Sequence, residues 1–391
     1  MPIFKNLPKI KKMFRNAIAA ATALAISVTF TAAASETAPQ VHRETYALAE
    51  ASTGTVIRQS GGDERVRMGS LNKLMVVLLA AEAVQRGDMS LDTVITAGEN
   101  ANSKQGAQIW LDVGEKMTLS DLLKAVIIGN ANDACCAVAE AICGSEAGCV
   151  GLMNARAAEL SMNGTLFTEC TGYYDDENQY TTASDAVKLL CRLSELDFLR
   201  EMFTTRVDEL KNGGVQLVST NTMGHRYKGS IGFKCGFGPA SGYFAAEGAE
   251  REGIVYVCAV LDCGDEDRSL ALARELLDIA FEGYTLVSPG LPENMPDRIA
   301  VREGQRNEAR LSAEPVGSLV VPKGRGGDVR AEVCLPSGVY APLKRGGKVG
   351  ELRFYLGDRL LKSCSINSAD DIEAKNFRNA LSLLMKFLVS F

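Results

Sequence analysis

A serine and a lysine three residues apart, Ser70 and Lys73, are the first candidates for chemistry in this chain of 391 residues. The run "MGSLNKLMVVLLAAE", residues 68–82, is apolar enough to form a buried helix, and residues three apart share a face of a helix. A lysine in the first helical turn opposes the helix macrodipole, which favours anions there. One chemical reason for this placement is that the lysine activates the serine.

Such a pair supports nucleophilic catalysis. A serine hydroxyl needs a neighbouring base to take its proton, and a lysine can be that base when burial and a nearby cation lower its pKa towards neutrality. The motif alone is weak evidence. Ser-x-x-Lys occurs by chance in many chains, with Ser70 as a plain helix cap and Lys73 solvated.

Other chemistries find little support in the composition. There are two histidines, His42 and His225, and neither belongs to an HExxH motif, so a Ser-His-Asp hydrolase would depend on His225 alone. No CxxC pair is present, and the sequence therefore predicts neither a zinc site nor any cofactor. The net charge of −6 gives no basic footprint, which argues against nucleic acid as a partner.

The eleven cysteines suggest core residues more than a disulfide framework, although an odd count in an exported protein leaves at least one unpaired. Cys135 and Cys136 are adjacent in an apolar helical run, and Cys143, Cys191 and Cys258 have apolar neighbours. Buried free cysteine behaves as a small hydrophobic residue. Mostly reduced core cysteines are the favoured interpretation.

The N-terminus reads as a secretory signal peptide, predicted as residues 1–34. Ala32, Ala33 and Ala34 offer small residues for cleavage, after an apolar run over 17–30 that is too short for a comfortable membrane span. Basic residues precede that run: Lys5, Lys9, Lys11, Lys12 and Arg15. We therefore expect an exported protein at the outer face of the cytoplasmic membrane or in the cell wall.

A first domain is predicted over residues 35–284, with strands from both ends of the segment and helices in its middle, an α+β pattern. A hairpin is predicted over 46–59 and a helix begins near Ser70. Thr118 to Asp121 has capping-box form before "LSDLLKAVII", a helix predicted to end at Gly129. Further predicted helices are "DACCAVAEAI", 151–161, 183–196 and 268–284, and predicted strands are "SGYFAAEG" and "GIVYVCAVLDC".

Two further units follow. Short alternating runs broken by glycine predict a small all-β domain over 299–368, with a spacer or binding role. Residues 371–391 predict an amphipathic helix, because its polar residues form one narrow stripe: Lys375, Asn379, Ser382 and Lys386. A wide apolar face with lysines on the polar one favours a membrane-surface anchor, and packing on the β domain is the alternative.

The Ser70 and Lys73 motif is the first of three short motifs that follow one another along the chain. Ser70-Leu71-Asn72-Lys73 begins a helix, Asn130-Ala131-Asn132 lies in an interhelical loop, and Lys234-Cys235-Gly236 lies in the strand-rich part. This set resembles the S-x-x-K, S-D-N and K-T-G elements of serine enzymes. With the stretches "VGEKMTLSDLLKAVIIGNANDACCAVAEAI", "LMNARAAELSMNGTLF" and "YTTASDAVKLL", the chain resembles the D-alanyl-D-alanine carboxypeptidases, the low-molecular-mass penicillin-binding proteins, over nearly its whole mature length.

The resemblance implies a β-lactamase/transpeptidase-like catalytic domain, an antiparallel sheet with a helical cluster, followed by the β domain and the C-terminal anchor helix. It also implies roles. Ser70 would attack the carbonyl of the penultimate D-alanine of a peptidoglycan stem peptide, and Lys73 would take its proton. Asn132 would orient the substrate backbone, and Lys234, beside Gly236, would attract the terminal carboxylate and help keep Lys73 neutral.

The resemblance also implies an oxyanion hole formed by the backbone N–H groups of Ser70 and Phe237. β-lactams would acylate Ser70 in place of the peptide. No cofactor is implied.

Two positions depart from the family pattern. Asn130 stands where the family has serine, and an amide is a poorer proton relay than a hydroxyl. Cys235 stands where the family has threonine, and a thiol is a weak donor towards a carboxylate. A redox role for Cys235 is the minor alternative to a tolerated small substitution. The alternative to a working enzyme is thus an impaired relative that binds peptides or β-lactams, with a β-lactamase as a weaker third hypothesis.

Overall fold

The computed structural model of the chain describes residues 43–174, 176–375 and 377. The predicted signal peptide and all but the first residues of the predicted C-terminal helix lie outside this range. In chain order, the described α-helices are α1 Lys73–Arg86, α2 Glu99–Asn102, α3 Leu119–Ile127, α4 Asn132–Cys143, α5 Glu146–Glu159, α6 Ala183–Ser194, α7 Arg200–Thr204, α8 Met223–Arg226 and α9 Glu266–Gly283.

The described strands divide between two regions. In the first region they are β1 Thr45–Glu50, β2 Thr55–Ser60, β3 Val94–Thr96, β4 Lys116–Thr118, β5 Val207–Leu210, β6 Val215–Val218, β7 Ser230–Gly238, β8 Gly242–Arg251 and β9 Ile254–Cys263. In the second region they are β10 Tyr284–Val287, β11 Arg298–Arg302, β12 Glu308–Ala313, β13 Leu319–Pro322, β14 Val329–Cys334, β15 Val339–Tyr340, β16 Lys348–Leu356 and β17 Arg359–Ser368.

The first region is built on a five-stranded antiparallel sheet with the order β2-β1-β9-β8-β7. The predicted hairpin over 46–59 is confirmed as β1 and β2. Helix α9 packs its apolar residues, among them Leu272 and Leu276, on one face of the sheet. The helices α1, α3, α4 and α6 share a separate buried core. Among the described strands β7 pairs with β8 alone, so its other edge is available to the residues that precede α1.

Local capping explains where the helices begin. The Thr118 hydroxyl accepts a hydrogen bond from the Asp121 N–H at 3.1 Å, which confirms the predicted cap of α3. Helix α3 ends at Ile127, two residues before the predicted Gly129. Helix α5 begins at Glu146 and not at 151, since the Ser145 hydroxyl caps it by accepting from the Gly148 N–H.

The second region is all β, as the sequence predicts. Six strands form a sheet with the order β14-β16-β17-β12-β11-β15, in which only the β11–β15 pair is parallel. Strand β10 follows α9 directly and pairs with β13, so the chain enters this region at Tyr284, earlier than the predicted 299. Val287 and Met295 pack against its core.

The first residues of the predicted segment 371–391 are not helical. Ile372 and Ala374 form isolated bridges with Leu343 and Gly304, and the side chain of Ile372 is 2% exposed in a core of the β region. Burial of this apolar side chain and the two bridges hold residues 372–374 against the β region, which corrects the predicted start of the helix at 371. The anchor helix itself falls on residues outside the described range.

Among the described residues, no single helix has the length and apolar character needed to cross a membrane. One bent pair, α4 with α5, passes on length and composition alone. Both of these helices contribute residues to the core of the first region.

Candidate active site

Ser70 lies in a 3-10 turn, Gly69–Asn72, that leads directly into α1. Its side chain is 7% exposed, and its Oγ is buried without a hydrogen-bond partner among the described residues. Strand β7 comes close to this hydroxyl, because a Cβ added to Gly236 would lie 3.0 Å from Ser70 Oγ. A side chain at position 236 would crowd the serine, so glycine keeps the space in front of it open.

Lys73 is the first residue of α1 and is 1% exposed. Its Nζ donates a hydrogen bond to the carbonyl oxygen of Thr171 at 2.5 Å. Burial lowers the pKa of the Lys73 ammonium, against the opposing effects of Cys135, Glu169 and Cys170. This is the environment that a lysine base needs. The lysine donates to this carbonyl and not to Ser70 Oγ, and catalytic hydrogen bonds often tighten only when substrate is bound.

The Thr171 carbonyl is held by a tight turn, residues 169–172, that we call the lysine-clamp turn. The Glu169 carboxylate accepts from the N–H and hydroxyl of Thr171 at 2.7 and 2.6 Å, and from the N–H of Gly172. It also accepts from Asn72 Nδ2 at 3.2 Å, which ties the turn to the serine's own segment. The turn and the Ser70 segment therefore form one hydrogen-bonded unit.

Gly172 lets the lysine-clamp turn approach the serine segment. Its φ is +73°, and a Cβ at this position would lie 1.9 Å from the carbonyl oxygen of Gly69. No real side chain tolerates that distance. Only glycine fits this position without moving one of the two backbones.

Lys234, on β7, is the second buried lysine, at 5% exposure. Burial, and after it the charge of Lys73, lowers the pKa of Lys234 to about 7. Two ammonium groups in one low-dielectric site repel each other, and this repulsion disfavours a site in which both lysines are charged. A charged Lys234 that keeps Lys73 neutral stays a prediction.

Asn132 is the first residue of α4 and is 3% exposed. Its backbone N–H donates to the Ala107 carbonyl at 2.7 Å, and its Nδ2 donates to the Gln105 carbonyl, while its Oδ1 is buried without a partner in the described part of the chain. Cys135 follows three residues later on the same face and influences the pKa of both lysines. The free amide oxygen is thus available to a ligand N–H.

Asn130 precedes α4 in a left-handed conformation, with φ of +56°. Asparagine adopts this conformation more readily than most residues. Its Oδ1 is also buried and unpartnered among the described residues. The backbone geometry accounts for an asparagine here, which the motif comparison alone treats as a departure.

The surroundings of Cys235 argue against a redox role. Its side chain is 5% exposed, and burial, with Glu247 as the next cause, raises the pKa of its thiol to about 11. It therefore stays a thiol at neutral pH, and thiols react as thiolates. Its Sγ is 3.8 Å from Thr220 Oγ1, so a hydroxyl lies beside the position where the family has threonine.

The structure brings Ser70, Lys73, Lys234 and Gly236 together by direct contact or by electrostatic influence. Phe237 is 55% exposed, and the centre of its ring lies 4.6 Å from that of Tyr243. Its predicted part in the oxyanion hole stays a prediction. The predicted roles of Asn130 in proton transfer and of Asn132 in substrate orientation also stay predictions. His225 is exposed on α8. The motifs did not point to the residues that hold the site in place: Gln105, Glu169, Thr171, Gly172 and Thr220.

Comparison with known proteins gives consistent matches. A sequence model described as D-alanyl-D-alanine carboxypeptidase matches residues 32–264, and one described as the C-terminal domain of penicillin-binding protein 5 matches residues 281–374. D-alanyl-D-alanine carboxypeptidase DacF of Bacillus subtilis (strain 168) is 28% identical over 342 residues, 86% of this chain and 88% of the relative.

Solved structures share the fold. Penicillin-binding protein 5 of Haemophilus influenzae matches with a TM-score of 0.76 and 23% identity over 86% of this chain and 99% of that one. Penicillin-binding protein D2 of Listeria monocytogenes, in its cefotaxime-bound form, matches with a TM-score of 0.55 and 24% identity over 61% of this chain and 96% of that one.

A buried serine with a buried lysine three residues later, on this fold, defines a class: the serine hydrolases that use lysine where others use histidine. The first sequence model spans more than half of the chain. The chain belongs to the D-alanyl-D-alanine carboxypeptidase family, and with it to the penicillin-binding proteins.

Replacing Gly172 with alanine tests the lysine-clamp turn. Because the new Cβ would strike the Gly69 carbonyl, the turn must shift and carry the Thr171 carbonyl away from Lys73. Misplacement of a catalytic group by about 1 Å can cost about 100-fold in rate, so we expect acylation by a fluorescent penicillin to slow by about tenfold or more.

The matched control is Gly144→Ala at the C-terminus of α4. Gly144 has a similar φ of +76°, but nothing lies within 4 Å of its added Cβ. Each variant bears the left-handed backbone penalty, about 1–2 kcal/mol, which urea denaturation would measure. Equal acylation rates for the two variants would contradict the role of the turn.

Proposed function

We propose that Ser70 is the nucleophile and Lys73 the base of a serine-type D-alanyl-D-alanine carboxypeptidase acting on peptidoglycan stem peptides. Lys73 takes the hydroxyl proton as Ser70 Oγ attacks the carbonyl of the penultimate D-alanine. The terminal D-alanine leaves, and water hydrolyses the acyl-enzyme. The single observation that carries this proposal is the complete burial of Lys73 three residues after a buried, unpartnered Ser70 Oγ.

We propose that the peptide substrate is recognised by β7 and Lys234 on one side of Ser70 and by Asn132 on the other. The free edge of β7 faces the serine segment, so an extended peptide can lie along it as an added strand. Asn132 Oδ1 then accepts from the peptide, and the Lys234 ammonium attracts the terminal carboxylate. The N–H groups of Ser70 and Phe237 stabilise the oxyanion.

The departures at positions 130 and 235 slow this chemistry without removing it. A lost hydrogen bond to a charged group costs about 1.5–3 kcal/mol, and the Thr220 hydroxyl lies beside Cys235. Family membership and the retained serine, lysines and Asn132 favour a working enzyme over the impaired alternative. The same serine is the proposed site of β-lactam acylation, as the cefotaxime-bound relative illustrates for the family.

The decisive measurement is release of free D-alanine from a diacyl-Lys-D-Ala-D-Ala tripeptide by the mature protein. We expect release by the native chain and only background release by Ser70→Ala, because no other nucleophile replaces the hydroxyl. Asn130→Ser should raise kcat if the amide limits proton transfer to the leaving group.

Folding of Ser70→Ala is checked by its thermal unfolding, which should match the native chain. Absence of D-alanine release from well-folded native protein, with penicillin labelling retained, would replace the enzyme by the binding alternative. Release that survives in Ser70→Ala would overturn the assignment of the nucleophile.

The pH dependence of kcat/KM tests the two lysines, because this parameter reports the ionisation of the free enzyme. Lys73 must be neutral, so activity rises with pH as Lys73 loses its proton. Lys234 must be charged to attract the carboxylate, and its pKa is about 7, so kcat/KM should fall again above neutrality.

Lys234→Arg is the matched control for the fall of kcat/KM above neutral pH. A guanidinium remains charged at all accessible pH values, so the alkaline fall should disappear while the acid limb persists. An unchanged alkaline limb in the arginine variant would contradict the assignment of that ionisation to Lys234.

We also propose that the protein acts at the outer face of the cytoplasmic membrane, held there by a helix within the residues that follow 375. The apolar face and lysine-bearing stripe of that sequence support this proposal. The mature chain should sediment with vesicles that contain anionic lipid, and a chain ending at Lys375 should stay in the supernatant. Equal sedimentation of the two would contradict the anchor.

A further inference from the structure

A second cluster of reactive side chains lies beside the lysine-clamp turn. It consists of Cys136 on α4, Glu146 at the start of α5 and Cys170 within the turn, and we call it the thiol cluster. One ligand atom from each residue, two Sγ and one carboxylate oxygen, lie within 4.8 Å of one another. Both cysteine side chains are 0% exposed.

The carboxylate of Glu146 has two differently placed oxygens. Its Oε2 accepts from Lys104 Nζ at 2.6 Å and from Asn100 Nδ2 at 3.0 Å. Its Oε1 lies 3.1 Å from the Sγ of Cys170. Oε1 also accepts from the Cys170 backbone N–H at 3.4 Å, and Oε2 lies 4.0 Å from Cys136 Sγ, so each carboxylate oxygen is next to one of the two sulfurs.

Cys136 has a supporting contact of the same kind. Asn100 Nδ2 lies 3.1 Å from its Sγ, so one amide reaches both the thiol and the carboxylate. In metal sites, the residues that bind the metal usually accept hydrogen bonds from neighbouring donors, which orient them and stabilise their negative charge. A pair of buried thiols that only fills space needs no such donor.

We propose that Cys136, Cys170 and Glu146 bind a thiophilic divalent metal ion, for which zinc is the best match. Zinc takes thiolate and carboxylate ligands, usually four in structural sites. Binding forms two Zn–S bonds and one Zn–O bond and releases the two thiol protons to solvent. Cys135, whose Sγ donates to the Cys170 carbonyl oxygen at 3.3 Å, lies outside this set of ligands.

Charge balance supports this exchange. Without metal, two neutral thiols accompany one carboxylate and the Lys104 ammonium, so the net charge is zero. With zinc, two thiolates and the carboxylate carry three negative charges, which the ion and the ammonium balance. The buried site is therefore neutral in both states, and the burial of an uncompensated charge, which is costly, is avoided. Lys104 stays on Oε2 and does not compete for Oε1.

The sequence gives no sign of this site, since the three ligands are 10 and 24 residues apart and follow no CxxC pattern. The fold assembles them because the chain bends by 79° between α4 and α5, and Cys170 of the lysine-clamp turn contacts Glu146 at the start of α5. A metal ion here would fix Cys170, the residue that precedes Thr171. The proposal concerns metal binding and stands independently of the catalytic roles assigned to Ser70 and Lys73.

Metal content of the reduced mature chain tests the proposal. The protein is stripped with a chelator, incubated with a small excess of Zn²⁺, passed through a desalting column and analysed by mass spectrometry of the elements. We expect about one zinc per chain. Loaded with Co²⁺ instead, the native chain should show the near-ultraviolet absorption of thiolate-to-cobalt charge transfer, a readout that needs no variant.

The variants Cys170→Ser and Cys136→Ser should each lose at least about tenfold in zinc affinity. Cys263→Ser is the matched control, because Cys263 is also 0% exposed but lies at the end of β9, outside the cluster; its zinc content should equal that of the native chain. Thermal unfolding of each variant shows whether it folds.

Three results would overturn the proposal. The first is a well-folded native chain that retains no zinc and shows no charge-transfer absorption. The second is loss of two of the eleven titratable thiols without bound metal, which would identify a disulfide. The third is equal loss of zinc in Cys263→Ser and Cys170→Ser.

Discussion

Two lysines share one buried site, and this electrostatic constraint organises the rest of the molecule around it. Lys73 is 1% exposed and Lys234 is 5% exposed, so neither ammonium can be solvated by bulk water. Burial lowers the pKa of both ammonium groups. For Lys73 this shift favours the neutral form that its proposed role as a base requires.

Burial of two lysines destabilises the fold, and the surrounding structure offsets this penalty with local hydrogen bonds. The Lys73 Nζ has the Thr171 carbonyl as acceptor, and that carbonyl is fixed because Glu169 binds the N–H and hydroxyl of the same residue. The closeness of Gly172 to Gly69 makes this support possible. The lysine-clamp turn and the segment that carries Ser70 are therefore joined by hydrogen bonds and close packing.

The sequence predicted well those features that depend on local pattern. The β1–β2 hairpin, the Thr118 cap of α3 and the all-β second region all follow from periodicity and capping chemistry and are present in the structure. Boundaries failed where a tertiary contact or an unnoticed cap decided them. Ile372 is extended because its side chain fills a core, and α5 starts early because Ser145 caps it.

The site was predictable in its reacting groups and not in its supports. Ser70, Lys73 and Lys234 belong to short motifs, which can be recognised in the sequence without a structure. Glu169 and Gly172 act through contacts with residues about 100 positions earlier in the chain, and no spacing rule reports such a contact. Cysteine spacing likewise does not reveal Glu146, since its carboxylate meets Cys170 only in the folded chain, 24 residues away in sequence.

Asn130 shows how backbone geometry can change the meaning of a motif. By residue type alone, an amide in place of a hydroxyl suggests a damaged proton relay. The position has a φ of +56°, which asparagine adopts far more readily than most residues do. The substitution therefore carries a conformational gain against its chemical loss, and a loop held firmly before α4 keeps Asn132 in place. In the proposed mechanism the two effects concern different steps: the conformational one concerns substrate orientation by Asn132, and the chemical one concerns departure of the leaving group.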